Sequence, residues 1–296
     1  MSETDRTPIF RVTDLPAGIH FVATPIGAAR DITLRALDIL ASADVIAAED
    51  TRTLRHLMDL HGVPLNGRPV VAYHDHNGAV QRPKLLRMVD EGKSVAYASE
   101  AGSPLVADPG YQLGREAVEA GYFVTCAPGP SSVLAALTLS GLPSDRFLFV
   151  GFPPAAAGAR RSWLDRLSAA DATLILFDSP KRISRLLGEM AQSFGEDRRA
   201  ALCRELTKRF EDVQRGTLGE LCQSVTDRPP KGEIVLVVDR ARQRSADPLE
   251  VEAALRHALE SQPVKAAAAE ISERYGIARR EAYQTALRLK EEDDEE

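Results

Sequence analysis

Cysteine is scarce in this chain. Its three, Cys126, Cys203 and Cys222, are odd in number and widely spaced, with no Cys-x-x-Cys pair and no histidine at ligand spacing. That pattern argues against a disulfide framework and against a bound metal, and it fits a reducing compartment. Long apolar runs are missing too. No window approaches the roughly 20 apolar residues that cross a bilayer, and the opening stretch MSETDRTPIFRVTDL is charged, so neither secretion nor membrane insertion is expected and a cytoplasmic setting is. The chain has no Gly-Lys-Ser/Thr phosphate loop and no Gly-x-Gly-x-x-Gly, which removes the main sequence supports for ATP and NAD. Aromatics are 5% of residues, with Trp163 the one tryptophan, so broad base stacking on a nucleic acid is not expected. An overall excess of one charge is also lacking: the formal net charge of -6 is accounted for by the six consecutive acids at residues 291–296.

What is present is a βα rhythm on 296 residues, enough for two domains with real cores. Strands are expected at 20–23, 45–48, 70–73, 95–98 and 123–126, alternating with helices at 33–42, 51–62, 80–91 and 112–120. This alternation predicts an open, mostly parallel sheet with helices on both faces. After an N-terminal extension at 1–17, it forms an N-terminal α/β domain over 18–127. A C-terminal α/β domain follows over 128–241, with helices at 131–140, 161–169, 183–194 and 218–224 and strands at 147–150, 173–177, 200–203 and 233–238. A polar linker then leads to three short helices at 250–260, 264–275 and 278–289, a helix-turn-helix-like extension spanning 246–290. The acidic tail at 291–296 is expected to be disordered.

The chemistry is expected at strand ends. The apolar run at 94–98 passes into SEAGSPLVADPG, where Gly102, Pro104, Pro109 and Gly110 frame Glu100 and Asp108. The run at 123–127 passes into Pro128-Gly129-Pro130-Ser131-Ser132 and then into a helix. Two strand ends carrying Gly/Pro loops describe one cleft at the functional edge of an α/β sheet. Near it come Thr24-Pro25-Ile26-Gly27, a tight turn opening a helix capped by Asp31 or Thr33. Ala48-Glu49-Asp50-Thr51-Arg52 reads either as an N-cap by Asp50 or as a site, and Tyr73-His74-Asp75-His76-Asn77 reads as substrate contact rather than metal ligation. Basic clusters stand at Arg160, Arg161 and Arg166, at Lys181, Arg182 and Arg185, and at Arg198, Arg199, Arg204, Lys208 and Arg209; each reads as a solvated helix face or as an RNA contact.

TPIG, DITLRALDIL, AEDTR, YHDHN, SEAGSPLVADPG, PGPSS, SGLPSDRF, GFPP, SPKRI, RELTK, RGT and KGEIVLVV occur in an order and spacing that resembles the ribosomal RNA small subunit methyltransferase I family, a branch of the tetrapyrrole methylase-like (class III) S-adenosylmethionine enzymes. The resemblance covers residues 18 to about 240, and the C-terminal helices resemble that family's extension. It implies two α/β domains with the cofactor folded in the cleft between them, held largely by backbone groups that glycine and proline loops allow to approach. By position, Ser99, Glu100, Ala101, Gly102 and Ser103 would lie along the methionine and ribose parts, Pro25 would also bind the cofactor, and Ser131 and Ser132, at a helix N-terminus, would hold the carboxylate or nearby groups. Phe177, Asp178, Arg204, Glu205, Leu206, Lys231 and Gly232 would close around the adenosine. The chain departs from the family's common pattern at Ala28-Ala29, where Asn-Leu is usual, and at Glu100 and Ser103, where Asp and Thr are usual.

The implied reaction is 2'-O-methylation of a cytidine ribose in the decoding region of 16S ribosomal RNA, within the 30S subunit, by a homodimer. The target must be single-stranded or splayed to enter a cleft. Candidates for a catalytic role are Glu49, Asp50, Arg52, His74 and Asp108, unranked. The helices at 250–290 serve either RNA contact or dimer packing. A tetrapyrrole-like substrate, a DNA-binding regulator and a non-catalytic ribosome assembly factor are the alternatives.

Overall fold

Every strand of the first sheet stops at nearly the same level, and this edge is what the fold offers chemistry. The computed structural model describes residues 8–241 and 248–295. Strands β1 (Gly18–Val22), β2 (Val45–Ala48), β3 (Val70–Ala72), β4 (Ser94–Ala98) and β5 (Val124–Ala127) form one wholly parallel sheet in the order β3-β2-β4-β1-β5. In register, Val22 stands beside Ala98 and Ala127, and Ala48 beside Ala98 and Ala72. From β1 the chain crosses one way and from β4 the other, so the crevice at their C-terminal ends is the topological switch point where α/β sheets bind ligands.

Alternation along the strands sorts the two faces. Val22, Ile46, Ala96 and Ala98 pack under α1 (Leu34–Ser42) and α2 (Thr51–Leu60), while Phe21, Val45, Val95 and Tyr97 pack under α3 (Gly78–Asp90) and α4 (Tyr111–Glu119). Of the two caps expected before α1, Thr33 is the one used, accepting from the Ala36 N–H.

Helix α5 (Ser132–Ser140) leads into a second, mixed sheet, in the order β6-β7-β10-β8-β9. Strands β6 (Phe147–Phe149) and β7 (Thr173–Asp178) run parallel; β8 (Arg199–Arg204), β9 (Asp212–Thr217) and β10 (Ile234–Val238) complete it with antiparallel pairs. Helices α6 (Ala157–Ser168), α7 (Ile183–Phe194) and α8 (Leu218–Asp227) belong to the same half. Strand β9 was not expected from sequence. Its residues DVQRGT carry no apolar run because it is an edge strand, yet it pairs with β8 along its whole length.

By contacts the chain separates into two compact units. One holds both sheets, through Ser168 and from Ala172–Asp239; the other takes Ala169–Asp171 with the described residues from Arg240 onward. In the second unit α9 (Pro248–Leu259), α10 (Val264–Tyr275) and α11 (Arg279–Glu295) close on Leu255, Ala268, Ile271, Ala282 and Leu289. The expectation of a disordered tail is corrected as far as Glu295, because α11 continues through it. Glu292 is tied to Arg256 at 2.8 Å and to Arg288 one turn back at 2.9 Å, which offsets the repulsion among the acids.

One ion pair inside the first unit is buried on one side only. Arg160 is 3% exposed, meets Glu189 through two hydrogen bonds, and donates to the carbonyls of Pro154 at 3.1 Å and Ala155 at 2.9 Å. The Arg160 hydrogen bond holds the Glu189 carboxyl below its ordinary pKa, so its stabilising effect is present at neutral pH and is lost as pH falls through the carboxylate range. Glu189→Gln leaves a buried guanidinium unbalanced. We expect a loss of about 1–3 kcal/mol in urea unfolding at pH 7, discounted for the exposed side of the pair, and a gap to wild type that closes below about pH 4.

Candidate active site

The turn after β1 is the first wall of the crevice. Thr24 and Gly102 exchange backbone hydrogen bonds at 3.0 Å in both directions, which staples this turn to the loop after β4. The Thr24 hydroxyl adds a bond to the Ser99 carbonyl at 3.1 Å, and Ser103 reaches across to the Pro130 carbonyl at 3.1 Å. Gly102 is needed here: its φ is +85°, and a Cβ would sit 3.2 Å from Ile26. Farther along the same loop Leu105 and Ala107 also take positive φ, +68° and +55°, conformations that cost of order 1 kcal/mol each and persist only when the surroundings impose them. The three loops after β1, β4 and β5 are therefore one hydrogen-bonded body. Ser131 opens α5 with no side-chain cap, leaving the helix's first-turn N–H groups without a side-chain acceptor from that residue.

The opposite wall comes from the second sheet. Ile234, at the start of β10, is flanked in register by Asp178 at the end of β7 and by Arg204 at the end of β8. Phe177, Asp178, Arg204, Glu205, Leu206, Lys231 and Gly232 lie at or just beyond one end of that sheet. Their side chains differ in what they have free. Asp178 is bound by Arg182 at 2.7 Å, Leu206 is buried in the core beneath β8, and Glu205 accepts from the Glu233 N–H at 2.9 Å and from Lys208 at 3.1 Å. What these residues offer the crevice is mainly backbone.

The two walls meet at the TPIG turn. Ile26 is 8% exposed and belongs to the second sheet's core, beside Val133, Leu206 and Val235. Gly27 lies so close to the loop after β8 that a Cβ would come within 2.6 Å of Thr207 Oγ1 and 2.9 Å of the Leu206 carbonyl. The Ala28 N–H donates to Thr207 Oγ1 at 3.1 Å. Position 28 thus acts through its backbone, which explains how an alanine serves there. Thr207, at φ +63°, and Glu205, at +52°, are held in the left-handed region that a β-branched residue rarely adopts. Sequence inspection passed over Thr207 and Lys208 as partners of this turn; the RELTK motif was the available signal.

The acids separate by their partners. Asp50 caps α2, accepting from the N–H groups of Arg52 at 2.8 Å and Thr53 at 3.3 Å, and these bonds hold its carboxyl below the ordinary range. Asp108 takes the Tyr97 hydroxyl at 2.7 Å and the Gly110 N–H at 2.7 Å. Burial, then the Asp108 charge, pushes the Tyr97 phenol well above its usual pKa. Glu49 is half-buried at the end of β2, and burial first, then the carboxylates of Glu100, Asp108 and Asp75, pushes its pKa up. The His74 Nδ1 is buried without a hydrogen-bond partner, its ring 6.0 Å from that of His76. Among the described residues no group of three or more His, Cys, Asp or Glu is placed to hold a metal.

This donor set suits a zwitterionic nucleoside. Backbone amides and hydroxyls dominate, the near cation Lys208 is already paired with Glu205 and Glu233, and an uncapped helix start is present for a carboxylate. In fold the chain is similar to a cobalt precorrin-4 methyltransferase of cobalamin biosynthesis (TM-score 0.57, 18% identity, 75% of this chain and 95% of that one) and to the methyltransferase CobJ (TM-score 0.58, 18% identity, 76% and 95%). Residues 18–222 match the family model for Tetrapyrrole (Corrin/Porphyrin) Methylases. The class is therefore a tetrapyrrole-methylase-fold methyltransferase, with S-adenosylmethionine as methyl donor.

Residues 245–290 match the RsmI C-terminal HTH domain. The chain is 45% identical to a Ribosomal RNA small subunit methyltransferase I from Mesorhizobium japonicum (94% of this chain, 96% of that protein), 41% to one from Escherichia coli O157:H7 (91% and 94%) and 39% to one from Haemophilus influenzae (93% and 98%). It belongs to the ribosomal RNA small subunit methyltransferase I family.

The joint between the walls is open to a direct check. Gly27→Ala drives a methyl group into Thr207 and Leu206, and we expect about 1–3 kcal/mol of destabilisation by urea unfolding together with weaker S-adenosylmethionine binding by calorimetry. Unchanged values for both would mean that the close approach does not set the cleft.

Proposed function

We propose that this enzyme methylates the 2'-hydroxyl of a cytidine ribose in the decoding region of 16S ribosomal RNA, acting in the cytoplasm on the 30S subunit, as a homodimer. Supporting the RNA reading are relatives named for the small ribosomal subunit that align over nearly the whole chain. The observation that carries the chemistry is Glu49, a half-buried carboxylate at the open edge of the sheet whose neighbours Asp50 and Asp108 are committed to other donors.

S-adenosylmethionine supplies an electrophilic methyl group. Pro25, Ser99, Glu100, Ala101, Gly102, Ser103, Ser131 and Ser132 on one wall, with Phe177, Asp178, Arg204, Glu205, Leu206, Lys231 and Gly232 on the other, would hold it through backbone groups. Arg52, exposed at the start of α2, would take a phosphate of the substrate. Glu49 would accept the proton from the ribose 2'-oxygen. Its raised pKa brings it closer to the operating pH, as general-base catalysis favours. Alignment of the hydroxyl contributes up to about 7–11 kcal/mol and a positioned base roughly 10²- to 10⁴-fold.

Incubation with labelled S-adenosylmethionine and 30S subunits or free 16S RNA from cells lacking the enzyme should place an alkali-resistant ribose methyl in one of them. A label in neither overturns the reading.

Glu49→Gln carries a paired expectation. Single-turnover transfer should drop more than 100-fold, on the order of the base contribution, with cofactor affinity intact. Because the folded state holds this proton more tightly than the unfolded chain, whose Glu titrates at about 4.3, wild-type stability falls as pH rises through the raised value. The variant should therefore melt higher than wild type at pH 7 and at the same temperature near pH 4. Full activity in the variant would remove Glu49 as the base.

A further inference from the structure

Beyond the cleft's second wall, the turn that follows β6 displays an aromatic ring. Gly151 accepts from the Phe177 N–H at 3.0 Å, so this turn is stitched to β7 at a residue of the cleft wall itself. Phe152 rests against Phe177 with ring centres 5.5 Å apart and planes at 61°, and Phe177 is backed by Phe149 at 4.9 Å. The packing props one side of Phe152 and leaves it 55% exposed. Pro153 and Pro154 follow, with restricted backbones, and the buried Arg160 grips the carbonyls of Pro154 and Ala155. An apolar ring is thus held out to solvent on a rigid mount.

The charges around the ring favour an anion. Pro153, Pro154, Arg182 and Arg185 share one depression with Asp178 and Arg160. Both acids at this end are already used, Asp178 by Arg182 and Glu189 by Arg160. Lys181 and Arg185 are exposed; Arg185 also acts on Glu189, so the cations Arg160, Lys181, Arg182 and Arg185 outnumber the acids Asp178 and Glu189 here. Phe147 and Leu148 on β6 are exposed as well, but an exposed, propped aromatic among an excess of cations is the pattern that binds single-stranded nucleic acid.

We propose that Phe152, Lys181 and Arg185 form a binding strip for single-stranded RNA beside the methylated nucleotide. One unstacked base lies on the open side of Phe152, and neighbouring phosphates meet Lys181 and Arg185. The proposal rests on the RNA reading above and names which surface guides the strand to the cleft.

The test uses the full chain and 30S subunits lacking the methyl group. Phe152→Ala should weaken subunit binding and raise its KM about 5- to 100-fold, the range set by removal of one base stack, with S-adenosylmethionine affinity unchanged in calorimetry. Phe152→Trp should restore binding. Lys181→Glu combined with Arg185→Glu should weaken binding and flatten the log–log salt dependence by about 0.7 for each phosphate that is no longer neutralised.

An unchanged KM in Phe152→Ala overturns the stacking role, and a loss of S-adenosylmethionine affinity overturns it by assigning the ring to the cofactor. An unaltered salt slope in the double variant overturns the phosphate role. Failure of the wild-type enzyme to methylate any ribosomal substrate is a different result, and it would fall on the proposed function.

Discussion

The insertion of the TPIG turn between the two sheets is the constraint on which the cleft depends. Its four residues make three kinds of contact: Thr24 pairs with Gly102 in the first half, Ile26 enters the apolar core of the second, and Gly27 permits the near approach of two backbones. The strained loops lie next to this joint. Positive φ at Leu105, Ala107, Glu205 and Thr207 is concentrated in the two loops that face each other across the crevice, where surrounding hydrogen bonds impose it.

The same geometry gives otherwise similar carboxylates different work. Asp50, Asp108 and Glu49 all emerge near the level ends of β2 and β4. Backbone donors at the start of α2 claim Asp50, the Tyr97 hydroxyl and Gly110 claim Asp108, and Glu49 faces burial and like charges instead. Backbone hydrogen bonds lower the Asp50 carboxyl's pKa, while burial and neighbouring like charges raise that of Glu49.

Cations are sorted as sharply. Each of the three basic clusters divides once the chain is folded: Arg160 and Arg198 are buried and bind carbonyls or a carboxylate, Arg182 and Lys208 are tied to acids, and Arg204 meets the Lys231 carbonyl. Arg161, Lys181, Arg185 and Arg199 are left at the surface. A cluster in sequence overstates the positive surface in space, because arginine's long fork is as useful for fastening loops as for meeting phosphate.

Local signals were sufficient for most elements. Apolar runs and their spacing located the helices before α11 and the strands other than β9 closely, and glycine and proline after β1, β4 and β5 pointed to the crevice edge, since a parallel strand buried on both faces must be apolar along its length. Edge strand β9 escaped because a half-exposed strand needs no such run, and α11 outlasted the expected end at 289 because Arg256 and Arg288 neutralise Glu292 from outside its own sequence window. By itself the sequence determined the class of fold, the strand ends at which the glycine and proline loops gather, and the family. The tertiary structure alone decided which carboxylate is left without a donor, which arginines are internal, and that Thr207 reaches Ala28 from 179 positions away, because hydrogen-bond partners and desolvation are properties of neighbours in space.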